Sequence, residues 1–253
     1  MKVPATATST ACRMGIYAAA TTLLGILLSG PPAILLLAKL HPQPPWQDAE
    51  LFARNFHGSQ TFPYFAGFFL VGGYIMLMAS LHALATDAQK PRTLAALSFT
   101  AVFASLVFLN YIVQTTIIPA LARNYTPDNA AIIALFSMSN PTSLAWAIEM
   151  WAWAFLGVAT WLASPVLSTS RVERLASATF VANGVSSVLG ALCTAARPAW
   201  VMTPPGLVGF VLWNALVFAM SILVVVALKQ RLREETWRSP ASTRFLVTQA
   251  GHA

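Results

Sequence analysis

Charge is what this sequence most lacks. Only 9% of its 253 residues are Asp, Glu, Lys or Arg, against roughly 25% in an ordinary soluble domain. A water-facing surface cannot be built from so few charges, and with 57% hydrophobic residues the surrounding solvent must be largely lipid. Cysteine is scarce too. Cys12 and Cys193 stand far apart, with no spacing that suggests a metal or redox site. The sequence has no HExxH, GxSxG, CxxC or phosphate-binding loop, so the common hydrolytic, redox and nucleotide-binding motifs are missing. We therefore expect no metal centre and no bound cofactor. Alternating ten-residue segments are absent as well, which argues against a transmembrane β-barrel.

Long apolar runs are what the sequence does have. A helix needs about 20 apolar residues to cross a hydrocarbon core of ~30 Å. Six stretches meet or approach that length: 15–38, 62–85, 94–118, 144–162, 175–195 and 206–228. In lipid the backbone must satisfy its own hydrogen bonds, so these runs are predicted as helices. The expected fold is an all-α polytopic membrane bundle, with residues 1–233 as one transmembrane domain. Residues 234–253 read as a weakly ordered cytoplasmic tail.

The net charge of +7 gains meaning from its placement. If the runs alternate in direction, one side carries Lys2, Arg13, Lys90, Arg92, Arg171, Arg174, Lys229, Arg231, Arg233, Arg238 and Arg244. The other side carries only Lys39, Arg54, Arg123 and Arg197. The excess of cations marks the cytoplasmic side, so both termini are expected there. Charge scattered through short connecting segments does not suggest a nucleic-acid partner; the expected partner is the lipid bilayer. Lys2 and Arg13 before an apolar run also resemble the start of a signal peptide, with cleavage near Ser29-Gly30 as the alternative. The run continues past Pro31-Pro32, which favours an uncleaved first helix.

The connecting segments carry finer expectations. Pro31-Pro32 implies a kink, a short helix followed by an interfacial piece, or a broken helix lining a site. Helix four has no matching interruption, so an inverted repeat gains no support. Around Gln47–Phe56, Phe52 and Phe56 share a helical face with Ala49, as in a short interfacial helix. Ala130–Met138 is apolar but too short to span, and reads as interfacial or re-entrant. Asn140-Pro141 makes a turn before helix four. Asn124-Tyr125-Thr126 is a glycosylation sequon, relevant only in a secretory eukaryotic setting. Of the histidines His41, His57, His82 and His252, only His82 falls in a predicted span, near its cytoplasmic end.

Glu149 is the one acidic residue inside any predicted span, and no Lys or Arg lies inside one. A carboxylate in hydrocarbon is costly. Without a buried cation it favours the neutral acid and needs hydrogen-bond partners or water. Asn110 and Gln114 are four apart on helix three and share a face. Asn183 and Ser186 on helix five and Asn214 on helix six fall in the outer half as well. Trp146, Glu149 and Trp153 share one face of helix four. These residues predict an outer-half polar cavity with Glu149 as its acid. A purely structural reading stands beside it: interhelical hydrogen bonds for the amides, interface anchoring and packing for the tryptophans.

Asn110-Tyr111-Ile112-Val113-Gln114, Pro119, Asn140-Pro141 and Ala147-Ile148-Glu149 together resemble a group of uncharacterised bacterial six-helix membrane proteins. Those proteins show Asn-Tyr-Phe-x-Gln on helix three, an Asn-Pro-His-Gly turn, and Ala-Leu-Glu on helix four. The segment around Trp46–Phe56 resembles their first outer loop. Thr142-Ser143 here replaces the His-Gly, and Trp151-Ala152-Trp153 replaces a Gly-Tyr pattern. The resemblance implies a fold and a bacterial inner membrane, and no established activity. Three functions remain open: binding or transport of a small molecule with Glu149 as a protonatable gate; an enzyme using Glu149 as an acid on a lipid or isoprenoid; and a non-catalytic accessory protein.

Overall fold

The computed structural model describes residues 5–238. Among them there are ten α-helices and no strand. Six helical segments are long and apolar enough to cross a membrane. Lys2, Arg244, His252 and the expected tail beyond residue 238 lie outside the described residues.

The first span is built from two helices, α1 (Ala5–Ser29) and α2 (Pro31–Leu40). Gly30 separates them with extended backbone at φ −87°, ψ −167°. The prolines occupy the first positions of α2, where a missing N–H costs nothing. The interruption expected at Pro31-Pro32 therefore falls at Gly30, between two helices. α3 (Ala49–Arg54) follows, capped by Asp48, whose Oδ1 accepts from Leu51 N at 2.7 Å. The second span is α4 (Phe62–Leu84). The third is α5 (Lys90–Ile112), then a π-helical turn at Val113–Ile117, then α6 (Ile118–Arg123). α7 (Ala130–Phe136) is the short apolar helix. α8 (Leu144–Ala163), α9 (Arg171–Ala196) and α10 (Pro204–Arg238) complete the bundle. α10 takes in Glu234 and the four residues after it, where a tail is expected from sequence; the helix simply continues beyond its apolar part.

Between helices in lipid, close packing of small residues replaces the hydrophobic effect as the source of cohesion. α8 and α9 meet at Gly157 and Gly184. A Cβ on Gly157 would lie 2.8 Å from Ser187 Cβ and 3.1 Å from Gly184 O. α1 and α4 meet at Gly73, where a Cβ would lie 2.8 Å from Thr22 N. Around these contacts the core is dominated by Tyr74, Phe103, Phe180, Leu77 and Leu156, all fully buried. Some buried hydroxyls bond back along their own helices, as Thr22 does to Ala18 O at 3.0 Å and Thr100 to Ala96 O at 2.8 Å, whereas Ser80 Oγ crosses from α4 to Ala11 O of α1 at 2.7 Å. Thr22 and Thr100 are thereby satisfied without a partner helix. The outward surface keeps large apolar groups exposed, such as Phe69 and Leu212.

The end of the bundle that holds the described chain ends is tied by an ion pair. Arg231 Nε donates to Glu173 Oε1 at 2.8 Å, and Thr169 N donates to Glu173 Oε2 at 2.7 Å. The opposite end carries a small cap. Ala49 and Phe52 of α3, Ile118 and Ala122 of α6, and Ile133 of α7 form a second apolar cluster. The face of α3 that sequence periodicity assigns to a membrane interface packs into this cap. α7, with Ile133 fully buried, packs into the same cluster.

Candidate functional site

The cap end is shaped by an interrupted helix three. Pro119 has no N–H to donate to Thr115 O. The chain widens by one residue instead, and Ile118 N donates to Val113 O, five residues back. Thr115 and Thr116 hydroxyls turn onto Tyr111 O at 2.7 Å and Ile112 O at 2.5 Å. π-turns of this kind recur at functional sites. Here the turn carries Gln114, which clamps the segment after α7. Its Nε2 donates to Phe136 O at 2.7 Å and its Oε1 accepts from Met138 N at 3.1 Å. The turn into α8 is fixed as well. Asn140 Nδ2 donates to Ala134 O at 2.6 Å, and its Oδ1 accepts from Thr142 N at 3.1 Å. Ser143 then caps α8, accepting from Trp146 N at 3.2 Å.

Glu149 sits two turns down that helix, 7% exposed. Its Oε1 accepts from Tyr111 Oη at 3.0 Å and from Trp153 Nε1 at 2.8 Å. Its Oε2 accepts from Asn110 Nδ2 at 2.9 Å. Asn110 is held in turn by Gln114 Nε2, which donates to Asn110 Oδ1 at 3.2 Å. All three partners of Glu149 are neutral donors, and the ion pairs among the described residues, Arg54 with Glu50 and Arg231 with Glu173, do not involve it. A carboxylate offers about four acceptor positions. The three bonds leave one on Oε2.

Glu149 lines a cavity of about 650 Å³ on the cap side of the bundle. Ile26, Ile34, Leu37, Leu70, Leu189 and Phe210 give it apolar walls, and Tyr64, Tyr111, Trp146, Trp153 and Trp213 give it aromatic ones. Gly30, at the helix-one break, is also in the wall. A Cβ there would lie 2.8 Å from Asn214 Oδ1, so the break brings backbone and Asn214 together. His41 lines the cavity and stacks on His57, with ring centroids 3.6 Å apart.

The residues singled out from sequence divide into two groups. Glu149, Asn110, Gln114 and Trp153 form one hydrogen-bonded cluster. Trp146 joins the cavity wall, with its Nε1 donating to Met138 O at 2.7 Å. Asn183 belongs to a second cluster and is not among the cavity-lining residues. Its Nδ2 donates to Thr160 Oγ1 at 3.1 Å and its Oδ1 accepts from Trp213 Nε1 at 3.1 Å. Asn183 lies thirteen residues from the end of α9, roughly 20 Å at helical rise, well below Glu149. Trp153 and Trp213 join the two clusters edge to face, with centroids 4.8 Å apart. Ser186 lines the cavity and donates to Asn183 O at 3.2 Å. Asn214 is on the cavity wall and donates to Phe210 O of its own helix at 2.8 Å. From sequence, Tyr111 stands only as part of the helix-three motif and not as a site residue, and Tyr64 is not singled out. Tyr111 sits one residue past Asn110, and counting faces by fours passes over it.

This geometry defines a helical membrane protein with six candidate spans and a partly open amphipathic cavity. No family model, curated protein or solved structure matches the chain.

Proposed function

We propose that this chain is a multi-pass protein of the bacterial inner membrane, with both termini cytoplasmic, that binds or transports a small molecule. The excess of Lys and Arg on the side of the termini supports the orientation. The single observation that carries the functional reading is the cavity of about 650 Å³ with a buried, incompletely satisfied carboxyl in its wall. A concave, mostly apolar chamber with a few convergent polar groups is the usual form of a small-molecule site. A fully packed bundle end, as an accessory protein would have, lacks such a chamber. The apolar walls also suit a lipid or isoprenoid substrate, which is the observation in favour of an enzyme. Against it, the three protein contacts of Glu149 all use the carboxyl as an acceptor, and Glu149 is the single acid among the lining residues.

The test compares wild type and Glu149→Gln, purified and reconstituted in liposomes. The reading expects different proton uptake and different copurifying molecules in the two. Identical uptake together with identical bound molecules would remove Glu149 from any role in binding or transport.

A further inference from the structure

Resting on the binding reading, the geometry points to the class of ligand: an organic cation with an apolar body, seated between the Glu149 carboxyl and the aromatic walls.

The charge balance of the cavity comes first. Among its lining residues Glu149 is the sole Asp or Glu, and none is Lys or Arg. The neighbours of Glu149 stabilise its oxygens with dipoles and bring no positive charge. A buried carboxylate left with neutral partners remains electrostatically uncompensated. Either a proton or a positively charged ligand completes it. An anionic ligand would place two negative charges in one low-dielectric chamber.

The orientation of the aromatic groups makes the same selection. The indole N–H groups around the cavity are spent on protein acceptors. Trp146 donates to Met138 O, Trp153 to Glu149, Trp213 to Asn183 and Ser187, and Trp200 to Thr194 at 2.8 Å. These four tryptophans therefore line the cavity without a free indole donor for an anion. The negative face of an aromatic ring attracts cations, most strongly where water is excluded. Tyr64 and Tyr111, with centroids 5.6 Å apart, extend that surface beside Glu149.

The remaining walls set the body of the ligand. Ile26, Leu37, Leu70 and Leu189 favour apolar carbon over a hydrated ion. Among the described residues no group of three or more His, Cys, Asp or Glu converges.

Two ions of nearly equal size and opposite charge make the test: tetraphenylphosphonium and tetraphenylborate. Each is titrated into the full chain in a non-ionic detergent, with micelle blanks, by calorimetry and tryptophan fluorescence. The phosphonium is expected to bind with quenching, and the borate to bind at least about tenfold more weakly. Glu149→Gln is expected to weaken the phosphonium about tenfold while leaving the borate no weaker than before. Borate binding as tight as phosphonium binding overturns the proposal. So does phosphonium affinity unchanged in a folded Glu149→Gln chain, or the failure of the phosphonium to bind at all. None of these results touches the broader binding reading, which stands or falls on the copurified molecules and proton uptake. The comparison of the two ions in wild type decides the matter even where the variant fails to fold.

Discussion

Asn110 Nδ2 lies 2.9 Å from Glu149 Oε2, across 39 residues of sequence and between two consecutive spans. The same amide group reaches Ala145 O at 3.3 Å, so Asn110 ties helix three to both the backbone and the acid of helix four. Replacing it with Leu removes these bonds and leaves Glu149 Oε2 without a protein donor. Asn110→Leu is expected to lower stability by about 1–3 kcal/mol. Thermal unfolding of the detergent-solubilised protein measures this. An unchanged midpoint would show that the pair contributes nothing to the fold.

Gln114 acts on the loop more than on the acid. Its two bonds to Phe136 O and Met138 N hold the segment between α7 and α8. Gln114→Ala is expected to raise amide exchange across residues 136–143, with little change in the lower half of α8. Hydrogen exchange read by mass spectrometry separates the two regions.

The ion pair at the other end predicts an asymmetric response. Glu173 is 2% exposed and depends on Arg231 for its charge. Removing one partner of a buried pair strands the other, and Arg231→Ala is expected to cost about 3 kcal/mol. The double variant Glu173→Gln/Arg231→Met strands no charge, losing only the bond to Val166 O, and is expected to be less damaging. Equal losses in the two would argue that the pair is solvated.

Close helix contact at Gly157 leaves no room for a side chain. Its Cβ would meet Ser187 Cβ at 2.8 Å on one side and Gly184 O at 3.1 Å on the other. Gly157→Val is expected to separate α8 from α9 and to cost about 1–3 kcal/mol through overpacking. Gly72 has nothing within 4 Å of its Cβ position, and Gly72→Ala serves as the tolerated control.

The two cysteines provide a native probe of topology. Cys193 is exposed and lines the cavity, whereas Cys12 is buried at the opposite end. On intact cells, a membrane-impermeant maleimide is expected to modify Cys193 and spare Cys12. Modification only after the membrane is opened would reverse the proposed orientation.

The spans themselves were legible because hydrocarbon imposes one simple rule on length and polarity. The six apolar runs and the observed helices coincide closely at Phe62–Leu84 and Leu144–Ala163. They differ where helices outlast their apolar part, as in α10. Asn110 was legible as one candidate partner of Glu149, since consecutive antiparallel helices bring similar depths together, though depth alone set Gln114 closer to the level of Glu149. Asn183 shows the limit of that method. Depth alone grouped it, somewhat deeper, with the outer-half polar residues around Glu149, while packing directs it to Thr160 and Trp213. Gly30 shows another limit. A Gly-Pro-Pro run announces an interruption, but only the fold reveals that Asn214 stands against it. The π-turn was hidden because one extra residue in a helical turn leaves the hydrophobic pattern almost unchanged.

The central claim is that a small molecule occupies the cavity at Glu149. Intact-mass measurement of the protein released gently from detergent tests it most directly, with wild type and Glu149→Gln prepared side by side. The account predicts a wild-type population carrying an added small-molecule mass that is absent or strongly reduced in Glu149→Gln. Bare masses for both proteins, or the same adduct in equal amount on both, would contradict it.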